Sequence, residues 1–212
     1  MNEVEIRGKI NQEEFKKLGE FLSKEAKLVD QYDRLTIDIS PGFDPKTRNW
    51  DQINKRDDNN QIDLRIKKSG KNEKITVKLG HYASKSREEF EIDLKEGELI
   101  DTLRLFEALG FKNGMIYFWK SSLYKYKNFE IKINEYPSGY RDWEIESQNP
   151  ASNPNDLAQK LSLKPFIEDE FRDEINWKNN KLHDLYSLEK VKEILKSYKG
   201  DISIPPRRWK HY

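Results

Sequence analysis

The sequence predicts an α+β fold: an antiparallel sheet of about eight strands that curls or closes, flanked by helices and followed by a helical C-terminal stretch. Three observations predict it. Short apolar–polar alternations recur between Val4 and Ile145, most of them separated by turn-forming residues. Two segments break that period with apolar residues near helical spacing, Phe15-Leu18-Leu22-Ala26 and Leu99-Leu103-Phe106-Leu109. From Ser147 onward the alternation stops and helical candidates take over.

The elements follow in order. Glu3, Glu5 and Arg7 fall on one face of an opening strand and Val4 and Ile6 on the other, because successive side chains on a strand point to opposite sides. Asn11 is placed as an N-cap with Glu14 three residues on, the spacing of a capping box, so residues 12–27 read as a helix. Residues 28–39 read as a strand and 40–61, with Pro41, Gly42 and Pro45, as an irregular excursion. Ile62-Leu64-Ile66, Ile75-Val77-Leu79 and Phe90-Ile92-Leu94 mark three strands joined by polar turns. Gly110 stops the second helix. An aromatic-rich strand over 115–126 turns back at Lys127-Asn128 into Phe129-Ile131-Ile133, and Pro137-Ser138-Gly139 leads into a last strand over 143–146. Helical candidates then cover 156–163, 166–177 and a stretch from Leu188 to Leu195 closed by Gly200. The domain reading is one sheet domain over 1–148 with a helical C-terminal extension over 149–212 packed on it. The tail Pro205-Pro206-Arg207-Arg208-Trp209-Lys210-His211-Tyr212 is basic and aromatic, a composition that can contact nucleic acid or phosphate, although an ordinary solvated terminus is the stronger expectation.

Composition narrows the function. Charged residues make up 36% of the 212 residues, well above the usual quarter, and 12% are aromatic, which argues against a disordered chain. A net charge of +1 gives no general nucleic-acid surface, so a nucleic-acid partner is not expected. The absence of cysteine excludes disulfides, thiolate zinc sites and cysteine nucleophiles, and three scattered histidines do not make a metal site. No apolar run reaches spanning length, so the expectation is a cytoplasmic protein without a membrane partner.

The charges are sorted by sign. The first and last strands offer paired carboxylates, Glu3 with Glu5 and Glu144 with Glu146. The middle strands offer Arg65, Lys67, Lys78 and Arg87, and Lys132 follows the second helix. Closing the sheet with this face inward gives a cavity with a basic and an acidic wall. A polyanion carrying a divalent cation would satisfy both, and hard carboxylate oxygens suit magnesium or manganese. The other reading leaves the charges facing solvent, with Val4, Ile6, Leu64, Ile66, Val77 and Phe90 packed beneath helices.

Six short motifs fall in an order that resembles the CYTH superfamily, the triphosphate tunnel metalloenzymes. Glu3-Val4-Glu5-Ile6-Arg7 stands where the family opens with Glu-x-Glu-x-Lys. Leu64-Arg65-Ile66-Lys67, Ile75-Thr76-Val77-Lys78-Leu79-Gly80, Arg87-Glu88-Glu89-Phe90-Glu91, Leu109-Gly110-Phe111 and Glu144-Ile145-Glu146 follow. The resemblance implies an eight-stranded antiparallel barrel or tunnel that binds a triphosphate with Mg²⁺ or Mn²⁺. It implies a hydrolase acting on tripolyphosphate, thiamine triphosphate or a nucleoside triphosphate, in a monomer or homodimer. A catalytically weak nucleotide- or polyphosphate-binding protein and a class IV adenylate-cyclase-like enzyme are the alternatives. It further implies that Glu3, Glu5, Glu144 and Glu146 hold metal, with Glu89 or Glu91 helping. Glu3, Glu5 and Arg7 would act in catalysis, and Arg65, Lys67, Lys78 and Arg87 would take the phosphates. The chain departs from the family at Arg7, where Lys is usual, at Trp119 and Ser121, where a Lys-x-Arg pair is common, and at Asn134, where Asp is common. Lys132 shares a face with Asn134 and is expected to bind substrate in place of a lost cation.

Overall fold

A computed structural model of the chain describes residues 4–50, 61–80, 88–147, 149 and 151–198. The described elements run β1 (Val4–Lys9), α1 (Gln12–Glu25), β2 (Lys27–Asp38), β3 (Phe43–Asp44), β4 (Asn49–Trp50), β5 (Ile62–Ser69), β6 (Asn72–Leu79) and β7 (Glu88–Leu94). Then come α2 (Leu99–Ala108), β8 (Met115–Tyr126), β9 (Phe129–Glu135), β10 (Arg141–Ser147), α3 (Pro154–Lys160), α4 (Glu168–Lys181), β11 (Asp184–Leu185) and α5 (Leu188–Ser197). The antiparallel α+β architecture agrees with the sequence expectation. Closure does not: the hydrogen-bonded path β1-β10-β9-β8-β2-β5-β6-β7 has two ends, so the sheet is not a closed barrel. One physical reason is visible at β7. Its residues 88–93 are exposed and include Glu88, Glu89, Glu91 and Asp93, and charge of one sign on an edge strand discourages further pairing. Phe90 and Ile92 are half or more exposed, so Phe90 is not a core residue here.

The described residues within Met1–Tyr32 and Trp119–Asp173 form one compact unit, and those within Asp33–Phe118 and Glu174–Arg208 form another; β2 and β8 run through both. In the first unit the expected capping box forms. Asn11 Oδ1 accepts from the Glu14 N–H and Glu14 Oε2 accepts from the Asn11 N–H, each at 2.9 Å. Leu18 and Leu22 on the apolar stripe of α1 join a core of Ile131, Ile133, Trp143, Ile145 and Leu157. Burying that face of β9 and β10 leaves their alternate, charged residues on the other face. Gly8 sits where a Cβ would come 2.4 Å from the Lys164 carbonyl oxygen and 2.7 Å from Trp143 Cζ2. Neither a main-chain oxygen nor a fully buried indole yields, so Gly8→Ala should destabilise the fold by about 2 kcal/mol, read as a lower midpoint in chemical denaturation.

In the second unit β5 pairs with β2 and β6, and β6 with β7, all antiparallel. Leu35, Ile37, Leu64 and Ile66 are buried on one face, and α2 packs on β5 and α5. The excursion over 40–61 contains an unexpected two-residue hairpin, Phe43 opposite Trp50 and Asp44 opposite Asn49. It is too short for a periodicity signal. Helix α2 has no side-chain cap from Glu98; Glu73 on β6 supplies it instead, accepting from the Leu99 N–H at 2.9 Å and the Gly97 N–H at 3.2 Å.

Candidate functional site

The first unit gathers carboxylates by register. β1 pairs with β10 so that Glu5 lies opposite Glu146 and Arg7 opposite Glu144. β10 pairs with β9 so that Glu144 lies opposite Lys132 and Glu146 opposite Glu130. Directly opposite residues share a face, so Glu5, Arg7, Glu130, Lys132, Glu144 and Glu146 form one charged surface over three strands. Glu3 lies outside the described residues. The surface is partly satisfied from within. Arg7 bonds Glu5 at 2.6 Å and its guanidinium lies 4.8 Å from the centre of the Phe171 ring. Lys132 bonds Glu144 at 2.8 Å, and Asn134 Nδ2 approaches the other oxygen of that carboxylate at 3.3 Å. Among the described residues no three carboxylates converge into a metal-ligating group. The donors are nevertheless hard oxygens on neighbouring strands, the chemistry that Mg²⁺ or Mn²⁺ takes.

Beside this surface the departures from the family pattern form a chain of hydrogen bonds. The Trp119 indole N–H donates to Ser121 Oγ at 3.0 Å, and Ser121 donates to Asn134 Oδ1 at 2.7 Å. Asn134 Nδ2 in turn donates to Asp142 Oδ1 at 2.8 Å. Tyr136 stacks on Trp119 with ring centres 5.5 Å apart. Burial, then the charge of Asp142, raises the Tyr136 phenol well above its usual pKa, so it stays neutral. Ser121, Asn134 and Asp142 are buried. Two neutral side chains thus stand where the resemblance leads to the expectation of cations, and an amide where it leads to that of an acid. Lys120 lies opposite Glu135, on the face away from Ser121, so it does not take their part.

The second unit gathers cations. Arg34, Thr36 and Asp38 on β2 share a face with Asp63, Arg65 and Lys67 on β5, with Lys74, Thr76 and Lys78 on β6, and with Glu89 and Glu91 on β7. Asp63 holds Arg65 through two bonds, Nε at 2.6 Å and a terminal nitrogen at 2.9 Å, and Asp38 lies 3.3 Å from the same Nε. Burial pushes the Asp38 pKa up to about 6 despite Arg65, and the neighbouring Asp63 charge adds to the rise. Glu89 is tied to Lys78 at 2.8 Å and Glu91 to Lys74 at 2.6 Å. Burial works against the Glu91 carboxylate, yet its bonds from Lys74 and Thr76 leave its pKa below the ordinary value. Arg87 lies outside the described residues.

Lys67 differs from these. It is buried, and among the described residues it makes no ion pair. Its opposite neighbours are Thr36 and another cation, Lys74. Burial, then the charges of Arg34, Arg65 and Lys78, bring its pKa down to about 7, with Glu89 partly offsetting them. Sequence reading did not name Arg34, Asp38 or Asp63. The alternation Arg34-Leu35-Thr36-Ile37-Asp38-Ile39 carries the signal, but only the β2–β5 register assigns that face to the Arg65–Lys67 strand.

No protein-family model and no curated protein matches the chain. Solved structures do. The PH1012 protein from Pyrococcus horikoshii OT3 is 22% identical, covering 79% of this chain and 93% of its own, with a TM-score of 0.52. A conserved hypothetical protein from Pyrococcus furiosus is 20% identical with the same coverages and TM-score. The chain shares the fold of these two proteins, and the motif order that resembles the CYTH superfamily maps onto it. In it, the expected motif residues fall on β1 (Glu5, Arg7), β5 (Leu64–Lys67), β6 (Ile75–Leu79), β7 (Glu88–Glu91) and β10 (Glu144–Glu146), with Leu109–Phe111 just past α2. A putative adenylyl cyclase from Hippeastrum, HpAC1, described as revealing a dominant triphosphatase activity, is 13% identical over 77% of this chain and 89% of its own. Its TM-score of 0.48 is too low to carry function across, and at identities near 20% the other likenesses speak to the fold alone.

Proposed function

We propose that this chain is a metal-dependent triphosphate-binding phosphohydrolase. One observation carries the reading: Lys67, buried without an ion-pair partner among the described residues and beside Arg34, Arg65 and Lys78. A desolvated cation among cations is costly in the empty protein and becomes favourable when a polyanion arrives. Inorganic tripolyphosphate, thiamine triphosphate and nucleoside triphosphates all supply that charge.

Phosphoryl transfer needs positioning and charge neutralisation more than a side-chain nucleophile. Arg65, oriented by Asp63, takes phosphate oxygens in a fixed direction. Lys67 and Lys78 neutralise charge on neighbouring oxygens, Lys78 after release from Glu89. In the first unit Glu5 and Glu146, with Glu144 once Lys132 lets go, are the residues that would hold Mg²⁺ or Mn²⁺. A cation held there would supply Lewis-acid neutralisation of phosphate charge. Arg7 keeps its charge at any accessible pH, so it orients Glu5 and does not exchange protons.

A second reading, a binding protein that turns its ligand over poorly, is favoured by the Trp119–Ser121–Asn134 chain, which replaces two cations and an acid with neutral groups. Phosphate release from tripolyphosphate and from ATP, with Mg²⁺, with Mn²⁺ and with chelator, separates the two. Metal-dependent release is the expected result. Tight binding without release favours the second reading, and cyclic AMP from ATP would indicate a cyclase. Neither binding nor turnover overturns both readings.

A further inference from the structure

Thr36 stands out among the polar residues of the second unit. It is 1% exposed, and its Oγ1 is buried with no hydrogen-bond partner among the described residues. A buried hydroxyl left unsatisfied costs free energy that a valine of the same shape avoids. Register puts Thr36 directly opposite Lys67, with Arg34 and Asp38 two residues away on the same face. Opposite side chains in antiparallel strands have Cβ atoms about 5 Å apart, so the hydroxyl lies beside a lysine that makes no ion pair among the described residues. The surroundings on that face are charged, and apolar packing does not explain the residue: the buried Leu35 and Ile37 lie on the other face. Two complementary deficits among the described residues meet at one point, a buried cation without an ion pair and a hydroxyl without a hydrogen-bond partner. A phosphoryl oxygen removes both, taking the ammonium and the hydroxyl as donors, and charge-assisted bonds of this kind are the strong ones.

We infer that Thr36 is a phosphate-binding residue, its hydroxyl donating to the same anionic oxygen that Lys67 neutralises. The inference rests on the anion-binding reading of the Lys67 cluster and adds a neutral donor to it. Such a donor fixes the position of the oxygen where the cations fix mainly its charge.

The test uses the full chain and metal-free tripolyphosphate, titrated calorimetrically at pH 6.5, with Thr36→Val, Thr36→Ser and Lys67→Met beside the wild type. Thr36→Val should weaken binding about tenfold, the loss of one hydrogen bond to a charged group. Its ligand-free thermal midpoint should be unchanged or higher, because an unsatisfied hydroxyl is removed. Thr36→Ser should bind within about twofold of wild type. Thr36→Val that binds like wild type overturns the inference, and so does Thr36→Val with a lower ligand-free midpoint, which would make the hydroxyl a structural group. If Lys67→Met weakens binding and Thr36→Val does not, this inference fails alone. A wild-type protein that does not bind tripolyphosphate removes the anion-binding reading together with it.

Discussion

Replacing Lys67 with Met should abolish measurable tripolyphosphate binding and at the same time stabilise the ligand-free protein. Both effects come from one cause. A lysine whose pKa falls from 10.5 to about 7 on folding is a cation that the fold disfavours, by on the order of 5 kcal/mol. The sign follows from proton counting. Between about pH 7 and the ordinary lysine range the unfolded chain holds this proton and the folded chain does not, so stability rises with pH across that window. Below pH 7 both states are protonated and the whole cost is present. Met keeps most of the volume and removes the charge, so its stabilisation should be largest at pH 6 and fade toward pH 10.

Binding has the opposite pH dependence. The ligand needs the ammonium, so wild-type affinity for metal-free tripolyphosphate should fall about tenfold between pH 6 and pH 8, relative to Lys67→Arg measured in parallel. Arginine stays charged throughout, and the ratio cancels the ligand's own ionisation. A ratio flat in pH would show that Lys67 does not titrate on binding.

The second large effect concerns Glu73. Replacing it with Ala should cost about 3–5 kcal/mol in chemical denaturation, with little change in the charged face of β5 and β6. Glu73 is 4% exposed and pairs with the buried Lys68 at 2.6 Å through one oxygen. Its other oxygen caps α2 at the Leu99 and Gly97 N–H groups. Ala strands a buried ammonium and two helix-end donors together. Glu73→Gln, which keeps an acceptor for the helix, should lose less; equal losses would assign the whole effect to the ion pair.

Some of this was legible without coordinates. Val4–Arg7 and Trp143–Glu146 alternate so clearly that Glu5 shares a face with Arg7, and Glu144 with Glu146, by strand geometry alone, and Asn11 with Glu14 marks the start of α1 by local hydrogen bonding. These are short-range properties, fixed by which residue follows which. The resemblance of six motifs pointed to the CYTH-type fold for the same reason, since each motif sits within one element or at its end.

Other features depend on partners distant in sequence. Arg34 and Thr36 alternate with Leu35 and Ile37 along β2, but only the pairing of β2 with β5 sets Thr36 against Lys67. Nothing around Glu73 in the chain announces a helix cap, because its partners lie at Gly97 and Leu99. The neutral places of Trp119, Ser121 and Asn134 read as losses in the sequence, and the β8–β9 register turns them into a hydrogen-bonded chain with Asp142. The open ends of the sheet at β1 and β7 likewise belong to the tertiary level. Sequence fixes which face each side chain takes within its own element, because dihedral geometry is local. Which faces meet, and therefore which buried cation is left without an ion pair among the described residues, depends on strand register and packing, which form only when the whole chain folds.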